Sequence, residues 1–274
     1  MQFMPNHGHI LARLHRLGVA FSALVFALML GIALSTGSAG AAPTVGVLGA
    51  AAPAAPSCPD NCQALAKTTG FQVAIGETKR PFVVPYTGKL VAWSIKLGAP
   101  SSKPAEGSTE SQLAFFNDEF GSSSARVSVL KPIRKKVKAG KPIYELKSQS
   151  PVEELEQFFG TTTTFTLAQP LTVKRNQIIG LTIPTWAPAL AVAQGPQSVW
   201  QASRTRTRCG LKPDTALEDT KAGRSHEVIG ADRAYGCSYK TARILYSATI
   251  VKNPSAPAPK DPSKNPADPK EPTT

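Results

Sequence analysis

Histidine is nearly missing from this chain. Of four histidines in 274 residues, His7, His9 and His15 fall in the first sixteen, and only His226 lies beyond them. Serine–histidine chemistry needs a base, so His226 alone has to serve any such site. No G-x-S-x-G elbow and no HExxH pattern occurs. Cysteine is scarce too: Cys58 and Cys62 form C-x3-C, and Cys209 and Cys237 lie 28 positions apart. Neither spacing fits a zinc knuckle. Acid is short, with 18 acidic against 31 basic residues and a net charge of +13. No catalytic residue, metal ligand or cofactor is expected from these patterns. A pair of carboxylates as in glycosidases meets only in the folded chain, so a secreted hydrolase acting through such a pair or through His226 stays the alternative.

The N-terminus decides how the four cysteines are read. Residues 1–16 carry Arg13, His15 and Arg16 and no acid, Leu17–Leu34 is apolar or small, and Ala39-Gly40-Ala41 follows. That is the order of a secretory signal peptide, residues 1–41, cut after Ala41. The apolar run approaches the length of a membrane span, so an uncleaved anchor is the alternative, and a membrane is a partner only in that case. In an oxidising compartment four cysteines read as two disulfides. The preferred pairing closes a small CPDNC loop through Cys58–Cys62 and a long excursion through Cys209–Cys237. Residues 42–69 read as a flexible Ala/Pro leader carrying the CPDNC loop. From Asn253 the chain holds seven prolines in 22 residues, which reads as an extended, disordered tail, residues 253–274. No LPXTG-type motif follows, so anchoring through this tail is not expected.

The middle, residues 70–252, alternates in the manner of strands. In Lys89–Leu97, Val91, Trp93, Ile95 and Leu97 alternate with more polar neighbours, as expected of one buried face of a central strand. Phe71–Ile75, Leu113–Phe116, Arg126–Lys131, Pro142–Lys147, Thr163–Leu167, Leu171–Lys174, Ile178–Ile183 and Thr241–Val251 carry similar signals. Pro151–Phe159 spaces Val152, Leu155, Phe158 and Phe159 for one short helix. Its glutamates, Glu153, Glu154 and Glu156, face different ways and read as an acidic helix start. Asn117, Asp118 and Glu119 fit no calcium loop and read as a solvated turn. Gly210–Arg233 reads as a long polar excursion stapled at its base. The expected fold is all-β: an antiparallel two-sheet β-sandwich, jelly-roll-like, with one short helix and long loops.

Three features are candidates for ligand contact. Lys131–Lys141 holds the densest basic cluster, including Lys135, Lys136 and Lys138; it either grips phosphates or serves as a charged sheet edge that blocks pairing. Trp186, between Pro184 and Pro188, either stacks sugars from a stiff loop or plugs the core. Ser198–Arg208, read as extended, puts Trp200, Arg204, Arg206 and Arg208 on one side as a basic stripe that fits carboxylates or phosphates.

The runs PFVVPYTGKLVAWSI, RVSVLKP, QSPVEELEQFFG, FTLAQPLTVKRNQIIGLTIPTWAP and YGCSYKTARILYSAT resemble uncharacterised secreted β-sandwich proteins of high-GC Gram-positive bacteria. The likeness covers about residues 70–250. It implies the fold and export and carries no functional residue. The turn Lys174–Gln177 departs from the acidic or glycine turns of such hairpins. The expected function is a secreted, non-catalytic binding or structural module of the cell envelope. Its ligand would be an anionic wall polymer or a carbohydrate. Nucleic acid is not expected, since no RRM, OB or helix-turn-helix signature appears.

Overall fold

The structure is a computed structural model that describes residues 43–133, 142–210 and 213–254. The elements in chain order are β1 (Val45–Leu48), β2 (Leu65–Ile75), β3 (Thr78–Lys79), β4 (Gly88–Lys96), α1 (Gln112–Phe120), β5 (Ser124–Pro132) and β6 (Ile143–Gln149). There follow β7 (Glu153–Glu154), β8 (Thr162–Val173), β9 (Ile178–Ala187), β10 (Leu190–Ala191), β11 (Val199–Ala202) and α2 (Pro213–Lys221). The last are β12 (Asp232–Ala234), β13 (Cys237–Lys240), β14 (Arg243–Ile244) and β15 (Tyr246–Lys252). One sheet runs β1-β15-β4-β8 and the larger runs β12-β6-β5-β9-β2-β11-β13, with β3 added at β2 and β7 at β5. β10 and β14 form a separate two-stranded ribbon, and every described pairing is antiparallel. The chain is all-β, and consecutive strands repeatedly change sheet, as in jelly rolls.

The two sheets share one apolar core. β4 and β15 supply Leu90, Trp93, Ile95, Ala248 and Ile250, and β5 and β9 supply Val127, Val129, Ile179 and Leu181. Tyr246 ties the layers: its ring stacks on Phe82 at 4.0 Å, and its hydroxyl donates to the Ile179 carbonyl at 2.8 Å. The alternation in β4 holds from Trp93 onward but not at Val91. Two residues of β4 advance against one of β15 between the Leu90–Ile250 and Ala92–Thr249 pairs, so Val91 is the extra residue of a bulge. The bulge resets the phase, and Leu90 takes the inward position.

Several elements differ from expectation. Residues 43–69 are not a flexible leader: β1 pairs β15, and β2 begins at Leu65. Gly49, at φ 75°, follows β1; a Cβ there would lie 2.1 Å from the Phe82 ring. The Ala/Pro stretch behind it serves as a strap of acceptors, with the Ala54 carbonyl taking Lys96 Nζ at 2.8 Å and the Ala52 carbonyl taking Arg243. Leu113–Phe116 is helical, inside α1. Ser111 caps that helix by accepting from Ala114 N, Gly121 ends it at φ 83°, and Leu113, Phe116 and Phe120 fall at helical spacing. Pro151–Phe159 forms only β7 and a single 3-10 turn over Glu156–Phe158, because the pairing of Glu153 and Glu154 with β5 holds its start extended. The excursion after Cys209 contains α2. Thr241–Val251 is broken at Leu245 into β14 and β15, which serve different sheets.

Both disulfides form in the preferred pairing, Cys58–Cys62 and Cys209–Cys237. Among the described residues no helix is long and apolar enough to cross a membrane. The apolar run Leu17–Leu34 and the tail beyond Pro254 lie outside the described residues, as do Lys135, Lys136 and Lys138.

Candidate functional site

The tryptophans occupy packing positions. Trp186 is 0 % exposed, inside β9 and not on a loop. Phe116 stacks on it at 4.7 Å and Phe159 packs at 5.5 Å, while its Nε1–H is shared between Asn117 Oδ1 at 3.0 Å and the Gly121 carbonyl at 2.8 Å. No sugar can reach that ring, and the stacking role is corrected to a plug that docks α1 on the larger sheet. Trp200 is also covered. Tyr239 stacks on it at 4.5 Å, and a Cβ on Gly70 would meet its ring at 3.0 Å, so its face is closed to a ligand.

The arginine stripe is bent out of line. β11 ends at Ala202 and the chain turns into a 3-10 turn over Arg206–Arg208, so the three arginines do not share a strand face. Arg204 and Arg208 converge on Asp219 of α2, at 3.5 and 2.9 Å. Arg204 also donates to Thr220 Oγ1 and to the Ala66 carbonyl. Arg206 instead lines a separate cavity beside Cys209 and Tyr235. Lys131 is paired with Glu145 at 3.5 Å; Lys147 and Lys131 together pull the Glu145 carboxyl below its ordinary range.

What gathers around Asp219 is a basic cleft of about 370 Å³. Lys67, Arg204, Arg208, Arg224 and Arg233 line it, and Asp219 is the one carboxylate among its described lining residues. Lys67 arrives there through a backbone exception. Ala66 pairs Trp186 and Thr68 pairs Ile183, so Pro184 and Thr185 of β9 stand opposite Lys67 alone. Proline has no N–H for the ladder, and the pairing bulges at that point. Lys67 takes φ 42°, a left-handed conformation that non-glycine residues seldom adopt. The carbonyl of Lys67 sits 3.5 Å from where a Cβ on Gly223 would be, close under the end of α2. Of the two prolines that suggested a stiff sugar-binding loop, Pro184 therefore acts one strand away, at the bulge that holds Lys67.

Beside the cleft, sharing Arg204 and Arg208 with it, lies a groove of about 550 Å³. Its walls include Leu65, Leu190, Val192, Trp200 and Tyr239, with Lys240 at its rim. Two polar groups in this wall lack partners. Thr68 is 3 % exposed and Trp200 6 % exposed, and neither Thr68 Oγ1 nor Trp200 Nε1 has a hydrogen bond among the described residues.

His226 is 1 % exposed. Its Nε2 meets the Ala231 carbonyl at 3.0 Å and its Nδ1 meets the Tyr235 hydroxyl at 3.3 Å. Its backbone N–H donates to Thr69 Oγ1, and the Gln149 amide donates to its carbonyl. Burial lowers its pKa, the bond to Ala231 opposes that, Arg233 adds to it and Asp232 opposes it. It latches the excursion onto a polar ladder of Thr69, Thr182 and Ser128. Among the described residues no group of three or more His, Cys, Asp or Glu side chains could hold a metal ion.

Sequence reasoning missed Lys67, Arg224, Arg233 and Asp219. Lys67 and Asp219 lie 152 positions apart, and only the fold joins them. Comparison with protein-family models, with curated proteins and with solved structures gives no match.

Proposed function

We propose that this protein is a secreted, non-catalytic module of the cell envelope that binds an anionic polymer in the cleft around Asp219. One observation carries the reading: among the described lining residues of that cleft, five are cationic and one is a carboxylate. Arg204 and Arg208 are held in place by Asp219, so part of the ordering cost of binding is already met. The two disulfides fit an oxidising compartment, and the net charge of +13 favours an anionic partner. The hydrolase alternative has less support. His226 is buried with both ring nitrogens engaged, which argues against it as the base of such a site.

The test is equilibrium binding of the full chain to isolated cell walls and to a soluble polyanion across a salt series. Binding is expected to weaken steeply with salt and to fall about tenfold or more in the Lys67→Ala, Arg224→Ala double variant. Binding indifferent to salt and to those substitutions would overturn the reading.

A further inference from the structure

The basic cleft does not end in solvent on every side. Arg204 and Arg208 belong at once to its wall and to the wall of the adjoining groove. The two spaces differ in chemistry. The first is lined by cations. The second is walled by Leu65, Leu190, Val192 and the Trp200–Tyr239 stack, with two hydrogen-bond donors in that wall. Those donors, the Thr68 hydroxyl and the Trp200 indole N–H, are buried and unpartnered. Buried donors without acceptors are costly. Trp93 Nε1 is also unpartnered but sits inside the core, whereas Thr68 and Trp200 both line the groove, from which an acceptor can be supplied. The bulge at Lys67 serves both spaces, since Lys67 lines the cleft while its neighbours Ala66 and Thr68 line the groove.

We propose that the groove is a second subsite for the same ligand, and that the ligand is an acidic glycan in which a charged residue adjoins an uncharged ring. The acid group sits against Lys67 and Arg208. The uncharged ring enters the groove and offers acceptor atoms, such as an N-acetyl carbonyl, to Thr68 and Trp200. A uniformly charged chain such as polyphosphate fits this pair of spaces poorly. It would bring charge against Leu190 and Val192 and lose hydration there without recovering it. The ring is not stacked on Trp200, whose faces are covered; it meets the indole edge and the half-exposed Tyr239.

This inference rests on the anionic-polymer reading, and one experiment separates the two. Binding of the full chain is measured by titration calorimetry against three probes of similar length. These are an oligosaccharide alternating glucuronic acid with N-acetylglucosamine, a polyphosphate chain, and a neutral N-acetylglucosamine oligomer. The expected result is that the acidic glycan binds at least about tenfold tighter than polyphosphate, and that the neutral oligomer binds weakest. Thr68→Val and Trp200→Phe should remove the preference for the glycan and leave polyphosphate binding unchanged. Thr68→Val keeps side-chain shape, Trp200→Phe keeps a six-membered ring against Tyr239 while losing the N–H and some volume, and thermal melts check that both fold. Equal binding of glycan and polyphosphate, unaffected by Thr68→Val and Trp200→Phe, would overturn the second subsite and leave the cleft standing. Binding of the neutral oligomer alone, or of none of the three, would overturn both.

Discussion

The larger sheet borders two regions built on opposite rules. Against the smaller sheet it presents Val127, Val129, Ile179 and Leu181, all buried among aliphatic and aromatic neighbours. Around α2, Lys67 of β2 and Arg204 just after β11 meet Asp219 of α2, half-buried charges beside donors that have no acceptor. In the first region the strand alternation decides which side chains meet. In the second it is interrupted, by Pro184 opposite Lys67 and by the turn after Ala202. Unmet polar groups occur on both sides, Trp93 Nε1 in the core and Thr68 Oγ1 and Trp200 Nε1 beside the groove, but only the second pair borders an open space.

The largest effect expected is on the core side. Trp93 is fully buried and packs on Phe165 at 4.8 Å, so Trp93→Ala should cost about 3–5 kcal/mol, read as a lower urea midpoint for the whole domain. A loss below about 1 kcal/mol would place Trp93 outside the cooperative core. On the cleft side, Asp219→Ala leaves the half-buried Arg204 without its carboxylate and should cost about 2 kcal/mol. Hydrogen exchange should then rise in α2 and stay unchanged in β4. Adjacent threonines sharpen the contrast further. Thr69 Oγ1 accepts from His226 N and bonds Thr182, so Thr69→Val should destabilise by about 1–3 kcal/mol. Thr68 Oγ1 bonds nothing described, so Thr68→Val should be neutral or stabilise by up to about 1 kcal/mol. Equal losses in the two variants would mean that Thr68 is satisfied after all.

A smaller effect depends on pH. Because burial lowers the His226 pKa, the unfolded chain takes up its proton at a higher pH than the folded one. Stability should be flat above about 6.5 and fall as pH drops below that value. Urea midpoints compared at about pH 7.5 and 5.5 should show this fall in the parent chain and much less of it in His226→Gln. An identical fall in both would assign the slope to other groups.

The all-β class, most strands and both disulfides were legible in the sequence, since strand alternation and cysteine parity are local or countable signals. Trp93, Ile95 and Leu97 show this in β4. Val91 was misplaced because a bulge costs one residue of phase and leaves no mark in composition. α1 was legible and overlooked: Ser111, Leu113, Phe116, Phe120 and Gly121 spell a capped helix, but the apolar run at its start also fits a strand. Of the candidate site, Arg204 and Arg208 came from the sequence, yet as part of a straight stripe. Their partner Asp219 and the neighbouring Lys67, Arg224 and Arg233 are joined only by β2, β11 and the excursion meeting in space.

The central claim is that the cleft around Asp219 holds an anionic polymer, and Lys67→Gly tests it most directly. Glycine relieves the left-handed backbone at φ 42° and removes one cation, so the fold should be kept or slightly stabilised. The measurement is the salt dependence of binding to an acidic oligosaccharide, for the parent chain and for Lys67→Gly. The account predicts weaker binding and a shallower log–log salt dependence. An unchanged affinity and slope, in a variant that folds normally, would contradict it.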